Sequence, residues 1–103
     1  MIQEYNTEEY DNLDKTGPMM VEFYSKKCGP CKMLSFVLRD IDKIFPDFRI
    51  VTIDFDENRE LKERLGVTGF PTMLFMNGGD EVKRLKGLQQ KPAIIKCIKE
   101  LTG

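Results

Sequence analysis

The apolar positions of this 103-residue chain fall into runs whose period changes several times along its length. MMVEFYS (19–25) is a continuous apolar run interrupted by one acid, the pattern of a strand buried on both faces. After it, Leu34, Val37, Leu38, Ile41, Ile44 and Phe45 recur at spacings of three and four until Pro46, which predicts a helix over 30–45 with that set facing inward. FRIVTIDF (48–55) is rich in β-branched residues and reads as another interior strand. Upstream, IQEY (2–5) suits a short first strand, followed by a helix from about Thr7 to Lys15 with Asn6 or Thr7 as its cap. Gly17-Pro18 then breaks the chain. Downstream, Asp56 to Asn58 can cap a short helix with Leu61 and Leu65 on one face, ended by Gly66. VTGFPTMLFMNGGDEVKRLKG holds two strands around Asn77-Gly78-Gly79-Asp80, so a β-hairpin is expected. Pro92 opens a last helix with Ile94, Ile95, Ile98 and Leu101 inward. Alternating strands and helices, then a hairpin, predict an α/β fold with parallel crossover units and one antiparallel edge.

Composition narrows the class. The length fits one small domain, and 41% hydrophobic with 32% charged residues is typical of globular chains. Sixteen basic and 17 acidic side chains are well mixed, which gives no basic footprint for a nucleic acid. No apolar run approaches the ~20 residues that span a bilayer. The first residues, MIQEYNTEEYDNLD, are acidic and polar, unlike a signal peptide. With residue 1 as the native start, the expected compartment is the cytoplasm, where disulfides are usually transient and catalytic. Nothing in the sequence demands more than a monomer.

The chemistry lies in KKCGPCKM (26–33). A lone C-x-x-C fits a metal clip, a structural staple or a redox pair. A structural zinc site wants four Cys or His ligands, and three cysteines, with Cys97 lying 66 residues after Cys31, and no histidine do not complete that set. A disulfide scaffold also fails, since one pair is almost local and the third thiol, Cys97, is left over. The redox reading remains. Cys28 falls at the N-cap of the predicted helix, where free N–H groups and the helix dipole favour a thiolate. A free thiol of pKa about 8.5 is only ~3% ionised at pH 7, and a pKa of about 7 makes it half ionised. Lys27 and Lys32 add positive charge in the same direction. Residues three apart on a helix have Cα atoms about 5 Å apart, inside the disulfide window of roughly 4.4–6.8 Å. Gly29 permits a tight turn into the helix and Pro30 stiffens its first turn without wasting an N–H. Cys28 is therefore expected as the exposed attacker and Cys31 as the partly buried resolver.

Two stretches carry a family resemblance. VEFYSKKCGPCKM resembles the active-site segment of the thioredoxin family, and GVTGFPT with MLFMNGG resembles its cis-proline loop and hairpin. The resemblance runs from the first helix to the last. It implies a thioredoxin fold, a central mixed sheet of about five strands flanked by about four helices, and dithiol–disulfide exchange on protein substrates. It implies no bound cofactor or metal, since reducing equivalents come from a partner such as a thioredoxin reductase. Cys28 matches the family nucleophile, Cys31 the resolving cysteine and Pro71 the cis-proline facing them. A cis X-Pro turn there would expose the backbone of Phe70, so that an extended substrate could pair with it. Gly69 and Thr72 frame that loop, and Gly78 and Gly87 match family glycines near the hairpin and before the last helix. Glu22 holds the position of the family's buried acid, six residues before Cys28. A desolvated carboxyl there would take the proton from Cys31 as it attacks the mixed disulfide. The other reading is an acid on the strand's solvated side, and apolar neighbours on both sides leave the face open.

The chain also departs from the family pattern. Lys27 stands where a tryptophan usually precedes the first cysteine, and Tyr24 replaces the other common aromatic. The Lys27 charge would favour the Cys28 thiolate and a more oxidising couple, or be screened as an ordinary solvated side chain. Phe36 replaces a helix-kinking proline, and Thr52 a lysine often found near the buried acid. Cys97 lies on the apolar side of the last helix, as a small buried hydrophobe. Met33, Leu34, Met73 and Met76 read as core or rim, and ENRELKER as a solvated helix face with pairs such as Glu60–Arg64. The leading function is reduction of protein disulfides. A thiol oxidase or isomerase, and a non-catalytic binding subunit docking through the Pro71 face, are the alternatives.

Overall fold

The computed structural model describes residues 1–103. In chain order the elements are β1 (Ile2–Glu4), α1 (Thr7–Asn12), β2 (Pro18–Tyr24), α2 (Gly29–Ile44), β3 (Arg49–Asp54), α3 (Arg59–Arg64), β4 (Thr72–Asn77), β5 (Asp80–Lys86) and α4 (Lys91–Thr102). The strands form one sheet in the order β1-β3-β2-β4-β5. β3 runs parallel to both β1 and β2, while β4 is antiparallel to β2 and to β5. The mixed α/β sheet, its five strands and its four helices are those expected.

β2 lies at the centre, and its burial explains its nearly continuous apolar run. Met19, Val21 and Phe23 point to one face, into a cluster with Tyr10 of α1 and Leu61 of α3. Met20 points to the other, into a cluster with Leu34, Leu38 and Ile41 of α2 and Ile94, Cys97 and Ile98 of α4. The molecule is thus three layers, with α1 and α3 on one side of the sheet and α2 and α4 on the other.

Local chemistry sets most boundaries. Asn6 and Glu9 form a reciprocal capping box at the start of α1. That helix ends at Asn12, short of the expected Lys15, because Leu13 turns to extended backbone, and the Lys15 ammonium donates to the carbonyls of Tyr10 and Leu13. Asn58 does precede α3, but its side chain makes no cap there. Its Oδ1 instead accepts from the backbone N–H and hydroxyl of Thr7, tying α3 to α1. The hairpin turns at Gly78 and Gly79, whose φ values of 61° and 88° require residues without a Cβ penalty. Ile44, expected to face inward, is exposed, because α2 ends there and its last turn lies beyond the core. Glu60 and Arg64 pair across one turn of α3 as expected, at 3.3 Å.

Candidate active site

Two elements meet at the redox pair. β2 ends at Tyr24, and α2 starts at Gly29 with Cys28 as its N-cap in extended conformation. The Cys28 sulfur accepts the backbone N–H of Cys31 at 3.1 Å, so the helix terminus points a donor at the atom that would carry negative charge. Cys28 and Cys31 are joined as a disulfide with their Cα atoms 5.2 Å apart. Pro30 occupies the first turn of the helix, where no N–H is missed. Cys31 is more deeply placed than expected, only 4% exposed. Cys28, expected to be exposed, is half-buried.

That loop is tied to the β3–α3 connection. The Ser25 hydroxyl donates to Asp56 Oδ2 at 2.6 Å and accepts from the Lys27 N–H at 3.3 Å. The Lys26 ammonium lies 3.7 Å from the buried Asp54 carboxylate and 3.8 Å from Glu57. Lys27 and Lys32 are exposed, on either side of the disulfide. The Ser25–Asp56 contact was missed in the sequence, because its partners are 31 residues apart and neither belongs to a motif.

In the loop that enters β4 beside the end of β2, Phe70-Pro71 is a cis peptide, as the resemblance implied. The Thr72 hydroxyl donates to the Gly69 carbonyl at 2.8 Å, so the two residues expected to frame the loop are brought together. The backbone N–H and C=O of Phe70 make no hydrogen bond within the chain. Its ring is 41% exposed and packs edge-on against Phe55, with centroids 5.1 Å apart. Gly87 donates its N–H to the Pro71 carbonyl, while Gly78 lies at the far hairpin turn, away from the cysteines.

Beneath the disulfide, Glu22 points to the α2 face of the sheet and is only 3% exposed. Burial pushes its carboxyl up to about 7, and Oε2 has no hydrogen-bond partner in the protein. Glu22, Cys28 and Cys31 line one cleft of about 410 Å³, which also takes in Thr52, Tyr24 and Glu4. Thr52 stands directly opposite Glu22 in the sheet register. The Tyr24 hydroxyl donates to Glu4 Oε2 at 2.7 Å. Glu4 did not stand out in the sequence; the signal for it is the β1–β3 register, which places it opposite Thr52.

Other singled-out residues lie elsewhere. Cys97 is a free thiol buried in the α2/α4 cluster, and desolvation pushes it up. Met33 and Phe36 are 57% and 49% exposed on α2, with the Arg39 guanidinium over the Phe36 ring. No group of three or more His, Cys, Asp or Glu side chains converges on a common point that could hold a metal ion. No helix is long and apolar enough to cross a membrane.

Comparison with known proteins agrees with this geometry. The thioredoxin family model matches residues 1–100. The thioredoxin of Chlamydia trachomatis is 33% identical over 98 residues, 95% of this chain and 96% of that protein. A Mycobacterium leprae protein named bifunctional thioredoxin reductase/thioredoxin is 33% identical over 92 residues, 88% of this chain but 20% of that one. Among solved structures, a mutant thioredoxin from Halobacterium salinarum superimposes with a TM-score of 0.90 at 30% identity, covering 99% of this chain and 91% of that one. Agreement of sequence and fold over nearly the whole length makes this chain a member of the thioredoxin family and a thiol–disulfide oxidoreductase.

Proposed function

We propose that Cys28 attacks disulfides of protein substrates and that Cys31 resolves the mixed disulfide, leaving the Cys28–Cys31 bond to be reduced by a partner. The observation that carries the assignment is the hydrogen bond from the Cys31 N–H to the Cys28 sulfur at the head of α2, with Cys31 buried behind it. Of the two sulfurs, Cys28 is the one with solvent access and the one whose thiolate the helix terminus would stabilise. Lys27 adds charge beside it, and Gly29 and Pro30 hold the first turn. Glu22 is the proton acceptor for Cys31, supported by its burial, its raised carboxyl and its place on the same cleft.

Substrates dock as an extended segment against Gly69, Phe70, Pro71 and Thr72, with the unpaired backbone groups of Phe70 as the pairing edge. The chain needs no bound cofactor or metal of its own for this exchange, because electrons pass from thiol to disulfide. The electron donor is a thioredoxin reductase, supported by the Mycobacterium leprae relative whose name joins both activities in one chain. The protein works as a monomer, since one copy supplies every residue of the site, and in the cytoplasm. The latter is supported by cysteine usage, an exchangeable local pair beside a free Cys97.

Trapping tests the roles of the two cysteines. A Cys31→Ser variant should accumulate mixed disulfides with protein substrates through Cys28, and a Cys28→Ser variant should accumulate none. The opposite pattern would reverse the assignment.

A further inference from the structure

A buried acid that takes a proton in each cycle must also return it to water, and the surroundings of Glu22 leave few ways out. Its neighbour in register on β4 is the buried Met73, and Leu38 of α2 lines the same cleft. The polar direction lies toward the sheet edge. Glu22 stands opposite Thr52 on β3, and Thr52 stands opposite Glu4 on β1. Partners in register share a face, so the three side chains form one row across the sheet. With strands about 4.8 Å apart, the Cα atoms of Glu22 and Glu4 are separated by about 10 Å. The cleft beneath α2 follows this row, and its volume of about 410 Å³ has room for several water molecules. The Tyr24 hydroxyl reaches past β3 to hold the Glu4 carboxylate at 2.7 Å.

The other ionisable groups around the cleft are Lys26 in the loop after β2, Cys28 at the N-cap of α2, and Cys31, Lys32 and Arg39 on α2. Ammonium and guanidinium groups have no acceptor to offer. Burial and then the bond to Glu4 push the Tyr24 phenol above its ordinary range, so it keeps its proton. The exposed Glu4 carboxylate is the remaining group that touches both cleft and solvent.

We infer that Glu4 is the positioning residue through which Glu22 exchanges its proton with solvent, with Tyr24 holding Glu4 in place. This rests on the acceptor role proposed for Glu22. As the Cys31 sulfur attacks the Cys28–substrate disulfide, its proton passes to Glu22. The Cys28–Cys31 bond forms, the substrate bond breaks, and the substrate sulfur leaves with the electron pair and takes a proton from solvent. Glu22 then passes its proton through cleft water and the Thr52 hydroxyl to Glu4, which releases it to bulk. One proton leaves the protein and one is taken up by the leaving thiolate, so the exchange balances.

Glu22 must lose its proton before each new cycle. The test is therefore reduction of insulin disulfides by the full chain, read as the ratio of the multiple-turnover rate, with excess dithiothreitol as reductant, to the single-turnover attack rate, with and without added acetate. Glu4→Gln should lower that ratio about fivefold and Tyr24→Phe about twofold, well short of the roughly 10²–10⁴-fold of direct acid–base catalysis, because Glu4 acts on the return of the proton and not on the bond exchange. Acetate, or the conservative Glu4→Asp, should restore most of the loss. Glu4→Gln at the parental ratio, with Glu22→Gln slowed, would overturn the exit route and leave the role of Glu22 standing. Glu22→Gln at the parental ratio would overturn both. A slow Glu4→Gln that neither acetate nor Glu4→Asp restores would make Glu4 a structural residue and also overturn the inference.

Discussion

The two faces of the sheet use the same strands and tolerate different chemistry. Toward α1 and α3, β2 contributes Met19, Val21 and Phe23, and every one is buried among apolar neighbours. Toward α2 and α4 it contributes Met20, then Glu22, then Tyr24, so that face turns from dry core to a polar cleft within four residues. The change coincides with the head of α2, where Cys28 and Cys31 sit. One face contributes stability; the other gives up some of it to keep an ionisable group under the sulfurs.

The largest effect should come from the working face. Cys28→Ser should lower disulfide reduction by about three orders of magnitude or more in an insulin-reduction assay, because a hydroxyl replaces the attacking thiolate. The cores should change little. On the dry face the pattern reverses: Phe23→Ala should cost about 3–5 kcal/mol in denaturant unfolding, while the molecules that remain folded keep their exchange chemistry. If Phe23→Ala instead abolished exchange without lowering stability, the division between faces would fail.

Glu22 sharpens the contrast through pH. Its carboxyl is about 7 in the folded chain against an ordinary 4.5. Below the lower value both states are protonated and the site costs nothing. As pH rises the unfolded chain releases its proton first, so stability falls until the folded carboxyl ionises near 7. The loss should total about 3 kcal/mol between pH 4 and 8, and Glu22→Gln should remove that slope. Urea unfolding of both proteins across this range checks it. The smallest effect belongs to the exposed Lys27. Lys27→Ala should slow the attack of Cys28 on insulin disulfides by less than about threefold at low salt and by less again at high salt, followed by single-turnover reduction.

Much of this was legible in the sequence, for physical reasons that differ by region. The hairpin turn was readable because two glycines at φ above +60° leave the chain little alternative. The head of α2 was readable because N-cap chemistry and the spacing of the cysteines are local. The face of Glu22 was not: alternation identifies a face only when one side is wet, and β2 is buried on both. The side chain of Asn58 misled for a similar reason, since its preferred partner, Thr7, lies 51 residues away. Glu4 became visible only once the register of β1 and β3 aligned it with Thr52 and Glu22. Local rules predict elements, and long-range pairing decides which polar groups meet.

The central claim is that this pair of cysteines passes electrons outward, to substrates. The reduction potential of the Cys28–Cys31 couple tests it most directly, by equilibration with glutathione buffers and trapping of free thiols. A value near −270 mV, the figure typical of thioredoxins, is the predicted result. A value between about −180 and −120 mV, where isomerases and strong oxidants lie, would contradict it and make oxidation or isomerisation the working direction.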